Sequence, residues 1–127
     1  MTTCKLEAMF EKRLEFIMEM KEVINGSYPD FPLDMTKKSS QQVCRDLALK
    51  GVEEMFEALQ HLKNWKPHRQ TDLSDEVVNK EEFLEEIVDA FNYFFAMLIV
   101  TGFDQEDLFS AFLSKHEIIK SRLKDGY

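Results

Sequence analysis

Two acidic pairs with the same spacing are the residues best suited to chemistry in this chain. Glu54 and Glu57 form one pair, and Glu86 and Asp89 form the other, each three residues apart. Residues at this spacing project from one face of an α-helix. Four carboxylates from two helices could converge on Mg²⁺, a hard cation that prefers oxygen ligands and is often shared with phosphates. The pattern therefore indicates metal-dependent chemistry on a phosphorylated substrate.

The second pair belongs to a longer acidic stripe that begins at Glu82. No Lys or Arg lies between Glu81 and Lys115 to offset this charge. Repulsion between like charges at helical spacing costs about 0.2–0.5 kcal/mol per pair. A divalent cation would convert this repulsion into coordination, whereas the alternative is a solvated charged face of a helix. The residues alone leave both interpretations open.

The histidines do not support a di-iron carboxylate site. Such bundles carry Glu-x-x-His motifs, and no Glu lies three residues before His61, His68 or His116. Oxygen-only ligation favours Mg²⁺ or Mn²⁺ over iron or zinc. We expect His61 and His116 to be surface or packing residues.

Composition sets the broad class of the protein. A net charge of −8 without a basic run argues against a wide nucleic-acid-binding surface. The longest apolar run, Tyr93 to Thr101, is too short to cross a bilayer, and the N-terminus does not resemble a signal peptide. The two cysteines, Cys4 and Cys44, fit a reducing cytoplasm as free thiols. The length of 127 residues predicts one domain, residues 1–127.

Gly and Pro are scarce and divide the chain into four long helical segments. The first helix is predicted from Leu6 to Val23. The second is predicted to end near Lys63, with Ser39 or Ser40 as its N-cap.

The third and fourth helices have clearer end signals. Asn79 is expected to cap a third helix that runs from Lys80 to Thr101, and Gly102 to end it. Asp104 is expected to open the fourth helix and Gly126 to close it. The third helix is apolar nearly all round past Tyr93, which indicates the middle of a bundle or a subunit interface.

The last helix carries positive charge that has two interpretations. Lys115 and Arg122 are seven residues apart and share one face. They could complement the helix dipole, which is worth about 0.3–1 kcal/mol. They could also bind phosphate, since Arg suits bidentate capture of phosphate oxygens.

The acidic pairs and the C-terminal tail resemble the motifs of a known superfamily. Glu54-x-x-Glu57 followed by Glu86-x-x-Asp89 is similar to the signature of the all-α nucleoside triphosphate pyrophosphatases, which include MazG-like enzymes and dimeric dUTPases. The tail Lys115-x-x-x-Ile119-x-x-Arg122-x-x-x-Gly126-Tyr127 resembles the closing motif of the dimeric dUTPase branch, as does Leu62-Lys63-Asn64-Trp65-Lys66. The resemblance covers roughly residues 40–127.

The resemblance implies an Mg²⁺-dependent hydrolase that converts a (d)NTP into the monophosphate and pyrophosphate. By position it implies that Glu54, Glu57, Glu86 and Asp89 are metal ligands, and that one glutamate of the first pair also activates water. It also implies that three residues of the tail bind the phosphates of the substrate: Lys115, Arg122 and Tyr127. Base or sugar contacts are expected from the first helix, the Tyr28–Asp34 loop, Trp65 and Asn92.

Two departures from the dimeric dUTPase pattern bear on specificity. Ile119 replaces the usual Asn of the tail, and the chain is shorter than typical members of that branch. We therefore expect an all-α, four-helix, MazG-like or dimeric dUTPase-like bundle that assembles as a homodimer or homotetramer. Its expected substrate is a deoxynucleoside triphosphate, dUTP first. The alternatives are a pyrophosphohydrolase for dCTP or a purine dNTP, and a helical interaction module without catalysis.

Overall fold

The computed structural model describes residues 4–73 and 78–126. These residues contain four α-helices and no strand, so the all-α prediction is confirmed. The helices are α1 (Lys5–Val23), α2 (Lys38–Leu59), α3 (Lys80–Val100) and α4 (Gln105–Lys124).

The predicted start of α2 is wrong, because Ser39 and Ser40 lie inside the helix and Ser40 is buried. The turn before the helix explains the difference. The Asp34 carboxylate accepts hydrogen bonds from the Thr36 hydroxyl (2.7 Å) and N–H (3.1 Å), and the Asp34 carbonyl accepts one from the N–H of Lys37 (3.1 Å). This Asx-type turn directs the chain into the helix before it reaches either serine.

The predicted end of α2 near Lys63 is also too late, since the helix ends at Leu59. The next residues continue in a tighter turn, in which the N–H of His61 donates to the Ala58 carbonyl (3.1 Å) and that of Leu62 to the Leu59 carbonyl (3.0 Å). Bonds of this i to i−3 type are common at helix ends.

The end signals of the later helices are confirmed. The Asn79 side chain accepts a hydrogen bond from the N–H of Glu82 at 3.0 Å, as an N-cap does. Gly102 follows α3 with a φ of 95°, a left-handed conformation that glycine adopts without strain. Asp104 opens α4 through a reciprocal capping box with Asp107, with bonds of 2.9 and 3.0 Å.

The described residues form two compact units. One contains the chain up to Leu33 and from Leu98 onward, and here α1 contacts α4 and buries Phe10 and Ile17. The other runs from Asp34 to Met97 and contains α2 together with most of α3. The organisation of residues 1–127 as one domain stays a prediction.

Apolar side chains remain exposed on every helix, and α4 is the extreme case because it has no buried residue. Phe109 is 52% exposed and Phe112 is 68% exposed. Among the described helices, none has both the length and the apolar character that a membrane span requires.

Candidate acidic metal site

The close approach of α2 and α3 positions the acidic residues. Gly51 is buried in α2, and a Cβ atom at this position would lie 2.5 Å from Cε1 of Phe94 in α3. Glycine at this position therefore allows the Phe94 ring to pack directly against the backbone of α2. Glu54 follows Gly51 by one turn, whereas Glu86 precedes Phe94 by about two turns, so the helices run antiparallel with their carboxylates facing each other.

Three carboxylates meet between these helices. One oxygen from each of Glu54, Glu57 and Glu86 lies within 4.8 Å of the other two. Glu54 and Glu86 are half-buried and Glu57 is exposed. The structure thus brings together three of the four carboxylates that the sequence selects as metal ligands.

Burial and the negative charges of neighbouring carboxylates raise the pKa values of two members of the cluster, Glu54 and Glu86. Burial is the main cause that raises the pKa of Glu54, and a hydrogen bond with Glu57 and the charges of Glu57, Asp89 and Glu86 add to it. Burial also raises the pKa of Glu86, followed by the charge of Glu57, a hydrogen bond with Glu57 and the charge of Asp89. A hydrogen bond between two carboxyl groups requires a proton on one of them. Without a cation, the cluster therefore retains protons more strongly than isolated carboxylates do.

Asp89 lies one turn beyond Glu86 and is exposed. It acts on the cluster through its charge, as the pKa values of Glu54 and Glu86 show. Its oxygens are not part of the group of three. Its role as a fourth ligand stays a prediction.

His61 is the neighbour of the cluster that sequence reasoning missed. Its Nε2 lies 4.0 Å from Oε1 of Glu86, and the side chains of His61 and Glu86 are 22% and 29% exposed. Proximity to His61 lowers the pKa of Glu86 and so opposes the other influences on it. The signal was present in the sequence, because His61 follows Glu57 by four residues and Glu54 by seven. On the helix that was predicted to continue to Lys63, the three side chains would share one face.

The remaining residues selected from the sequence are not part of the group of three. Lys115 and Arg122 are exposed on α4, Trp65 is 69% exposed in the connection after α2, and Asn92 is half-buried in α3. Tyr127 lies outside the described residues. The phosphate-binding and base-binding roles of these residues stay predictions.

The carboxylate cluster has the donor chemistry of a site for a hard divalent cation. All its ligand atoms are oxygens, which suits Mg²⁺ or Mn²⁺. A cation would also relieve the repulsion that, in addition to burial, raises the pKa values of Glu54 and Glu86. The fold and the site thus define an all-α protein with a cluster of carboxylates between two antiparallel helices. Comparisons with family models, with curated proteins and with solved structures find no match to this chain.

Proposed function

We propose that this protein is an Mg²⁺-dependent hydrolase that converts a deoxynucleoside triphosphate, dUTP first, into the monophosphate and pyrophosphate. The observation that carries the proposal is the convergence of Glu54, Glu57 and Glu86 from two helices to within 4.8 Å. The similarity of these residues and of the C-terminal tail to the all-α nucleoside triphosphate pyrophosphatases supplies the reaction.

Each carboxylate has a proposed task. Glu54, Glu57 and Glu86 hold the cation, with Asp89 beside them, and Mn²⁺ is expected to substitute for Mg²⁺. When bound, the cation supplies positive charge that offsets the negative charge developing on phosphate oxygens. A glutamate of α2, either Glu54 or Glu57, orients the attacking water and accepts its proton. Pyrophosphate leaves as the new bond from water to the α-phosphorus forms.

The cation does not neutralise all the negative charge of a triphosphate, so further positive groups are required to bind it. We assign this task to Lys115, Arg122 and Tyr127. The exposure of Lys115 and Arg122 and their position on one face of α4 support the assignment. For the base and sugar we propose Trp65 and Asn92, since an exposed indole offers a surface on which a base can stack.

We also propose that the protein assembles with a second copy of itself through α4, as a homodimer or as part of a homotetramer. No residue of this helix is buried, and one side of it is lined by Phe109, Phe112 and Leu123. Its first turn is acidic and its last turn is basic. Two copies of α4 that pair antiparallel across a two-fold axis would place opposite charges together and cover both apolar sides.

Light scattering tests this assembly. Phe112→Asp should shift the protein toward the monomer, because it places a charge in the centre of the proposed interface. Ser114→Asp is the matched control, since residue 114 lies on the opposite side of the helix. A wild-type protein that is monomeric at micromolar concentration would refute the assembly.

A cytoplasmic location is proposed as well, because Cys4 and Cys44 are both free thiols.

The experiment that tests the function is pyrophosphate release from a panel of dNTPs with and without Mg²⁺. We expect Mg²⁺-dependent release that is fastest with dUTP, and its loss in Glu57→Gln. Glu53→Gln is the matched control, because Glu53 is an exposed neighbour on α2 outside the cluster. Faster release from dCTP or from a purine dNTP would support the same reaction with a different base in the substrate. Absence of turnover with every nucleotide would favour the helical interaction module instead.

A further inference from the structure

The contact between His61 and Glu86 joins the carboxylate cluster to the turn that follows α2. The Nε2 atom of His61 lies 4.0 Å from Oε1 of Glu86. The backbone N–H of His61 is fixed to the Ala58 carbonyl at 3.1 Å, and Ala58 itself is fully buried. The imidazole is therefore attached to a backbone segment that the core of this unit restrains.

A carboxylate that binds a cation has to be held in a suitable orientation. Carboxylate ligands in metal sites are usually hydrogen-bonded to a neighbouring group, which fixes this orientation. Glu86 comes from a different helix than Glu54 and Glu57, so its side chain has to be directed toward the other two across the space between the helices. His61 approaches Oε1, one of the two oxygens of this carboxylate.

The distance is compatible with this role after a small side-chain movement. An N–H···O hydrogen bond measures about 2.7–3.2 Å, so the imidazole and the carboxylate need to approach by about 1 Å. Both side chains are partly exposed, so neither is completely enclosed by packed neighbours. A neutral imidazole is sufficient in the tautomer that carries its hydrogen on Nε2, the nitrogen that approaches Glu86.

We propose that His61 is a positioning residue that holds the Glu86 carboxylate in the orientation needed for divalent cation binding. The proposal rests on the proposed function, because it assumes that the cluster binds a cation. It goes beyond that function by assigning a role to a residue outside the carboxylate set. His61 is not placed among the ligands, since its nitrogens are not part of the group of three.

The test combines a binding measurement with a kinetic one in the whole chain of 127 residues. Mn²⁺ binding is measured by electron paramagnetic resonance for the wild type, His61→Ala and His61→Gln. The Mg²⁺ concentration for half-maximal pyrophosphate release is then measured for the same proteins. His116→Ala is the matched control, because His116 is an exposed histidine on α4.

We expect His61→Ala to weaken cation binding by about 10- to 100-fold, the effect typical of lost outer-shell partners. Maximal turnover at saturating Mg²⁺ should fall much less than the cation affinity. His61→Gln retains an N–H donor and should recover most of the affinity, which a purely packing role of the ring would not produce. His116→Ala should behave as the wild type.

The outcomes separate this proposal from the proposed function. If the wild type binds Mn²⁺ and releases pyrophosphate while His61→Ala has unchanged cation affinity, the positioning role is wrong and the function stands. Equal losses in His61→Ala and His61→Gln would also overturn it, since the donor would not matter. If the wild type shows neither cation binding nor turnover, the proposed function fails and this inference fails with it.

Discussion

Replacing Gly51 by Ala would test the helix contact that brings the carboxylates together. The added Cβ would lie 2.5 Å from Cε1 of Phe94 and 2.9 Å from two further ring atoms. Carbon atoms pack best at about 3.5–4.0 Å, so the ring or the helix has to move by about 1 Å. Overpacking of this kind costs about 1–3 kcal/mol.

Helix propensity acts in the opposite direction. Alanine is about 1 kcal/mol more favourable than glycine in a helix interior. The net change for Gly51→Ala is therefore a loss of roughly 0–2 kcal/mol in the free energy of unfolding. The single variant cannot separate the two contributions, but a second background can.

Chemical denaturation of a double-mutant cycle with Phe94→Leu isolates the contact. Once the ring is removed, Gly51→Ala should stabilise the protein by about 1 kcal/mol, which gives a coupling energy of about 1–3 kcal/mol. Phe91→Leu is the control background, because Phe91 is an exposed residue of the same helix and the atoms nearest to the added Cβ all belong to Phe94. An equal effect of Gly51→Ala in all three backgrounds would refute the close approach of α2 and α3. The same clash should raise the Mg²⁺ concentration needed for turnover, and Phe94→Leu should reverse this increase.

Three further predictions concern charge and specificity. Because the folded protein retains protons on Glu54 that the unfolded chain releases, stability without metal should fall as the pH rises above the ordinary pKa of 4.5. Thermal unfolding should show that Glu54→Gln, or added Mg²⁺, reduces this dependence of stability on pH. An unchanged dependence would contradict the claim that Glu54 retains its proton because it is partly buried among other carboxylates. Arg122→Ala should lower kcat/KM about 10- to 100-fold if Arg122 binds phosphate, whereas a loss of up to about 1 kcal/mol of stability with normal kinetics would assign it to the helix dipole. Ile119→Asn should shift selectivity in the dNTP panel toward dUTP, and unchanged selectivity would make Ile119 a packing residue.

The helices were predictable where local chemistry determines them. Asn79 and Asp104 have side chains that satisfy the free N–H groups of a helix start, and Gly102 adopts a backbone conformation that other residues avoid. The start of α2 was mispredicted because Ser39 and Ser40 are good caps in isolation. A turn formed around Asp34 begins the helix earlier, and its effect depends on hydrogen bonds that composition does not reveal.

The candidate site was predictable in part for a similar reason. Spacing alone places Glu54 and Glu57 on one face of a helix, but it does not determine which part of another helix that face meets. The register depends on the contact of Gly51 with Phe94, which joins residues distant in sequence. The same register places His61 beside Glu86, and the Glu-x-x-His spacing within one helix does not predict a contact that depends on the packing of two helices.

The most direct test of the central claim is Mn²⁺ binding to the purified protein, measured by electron paramagnetic resonance without nucleotide. The wild type and Glu53→Gln should bind the cation, while Glu57→Gln should lose most of the affinity because it removes a carboxylate from the group of three. Mg²⁺ should compete with Mn²⁺ for the same site. Equal binding by all three proteins, or no binding by the wild type, would contradict the assignment of the carboxylate cluster as a metal site.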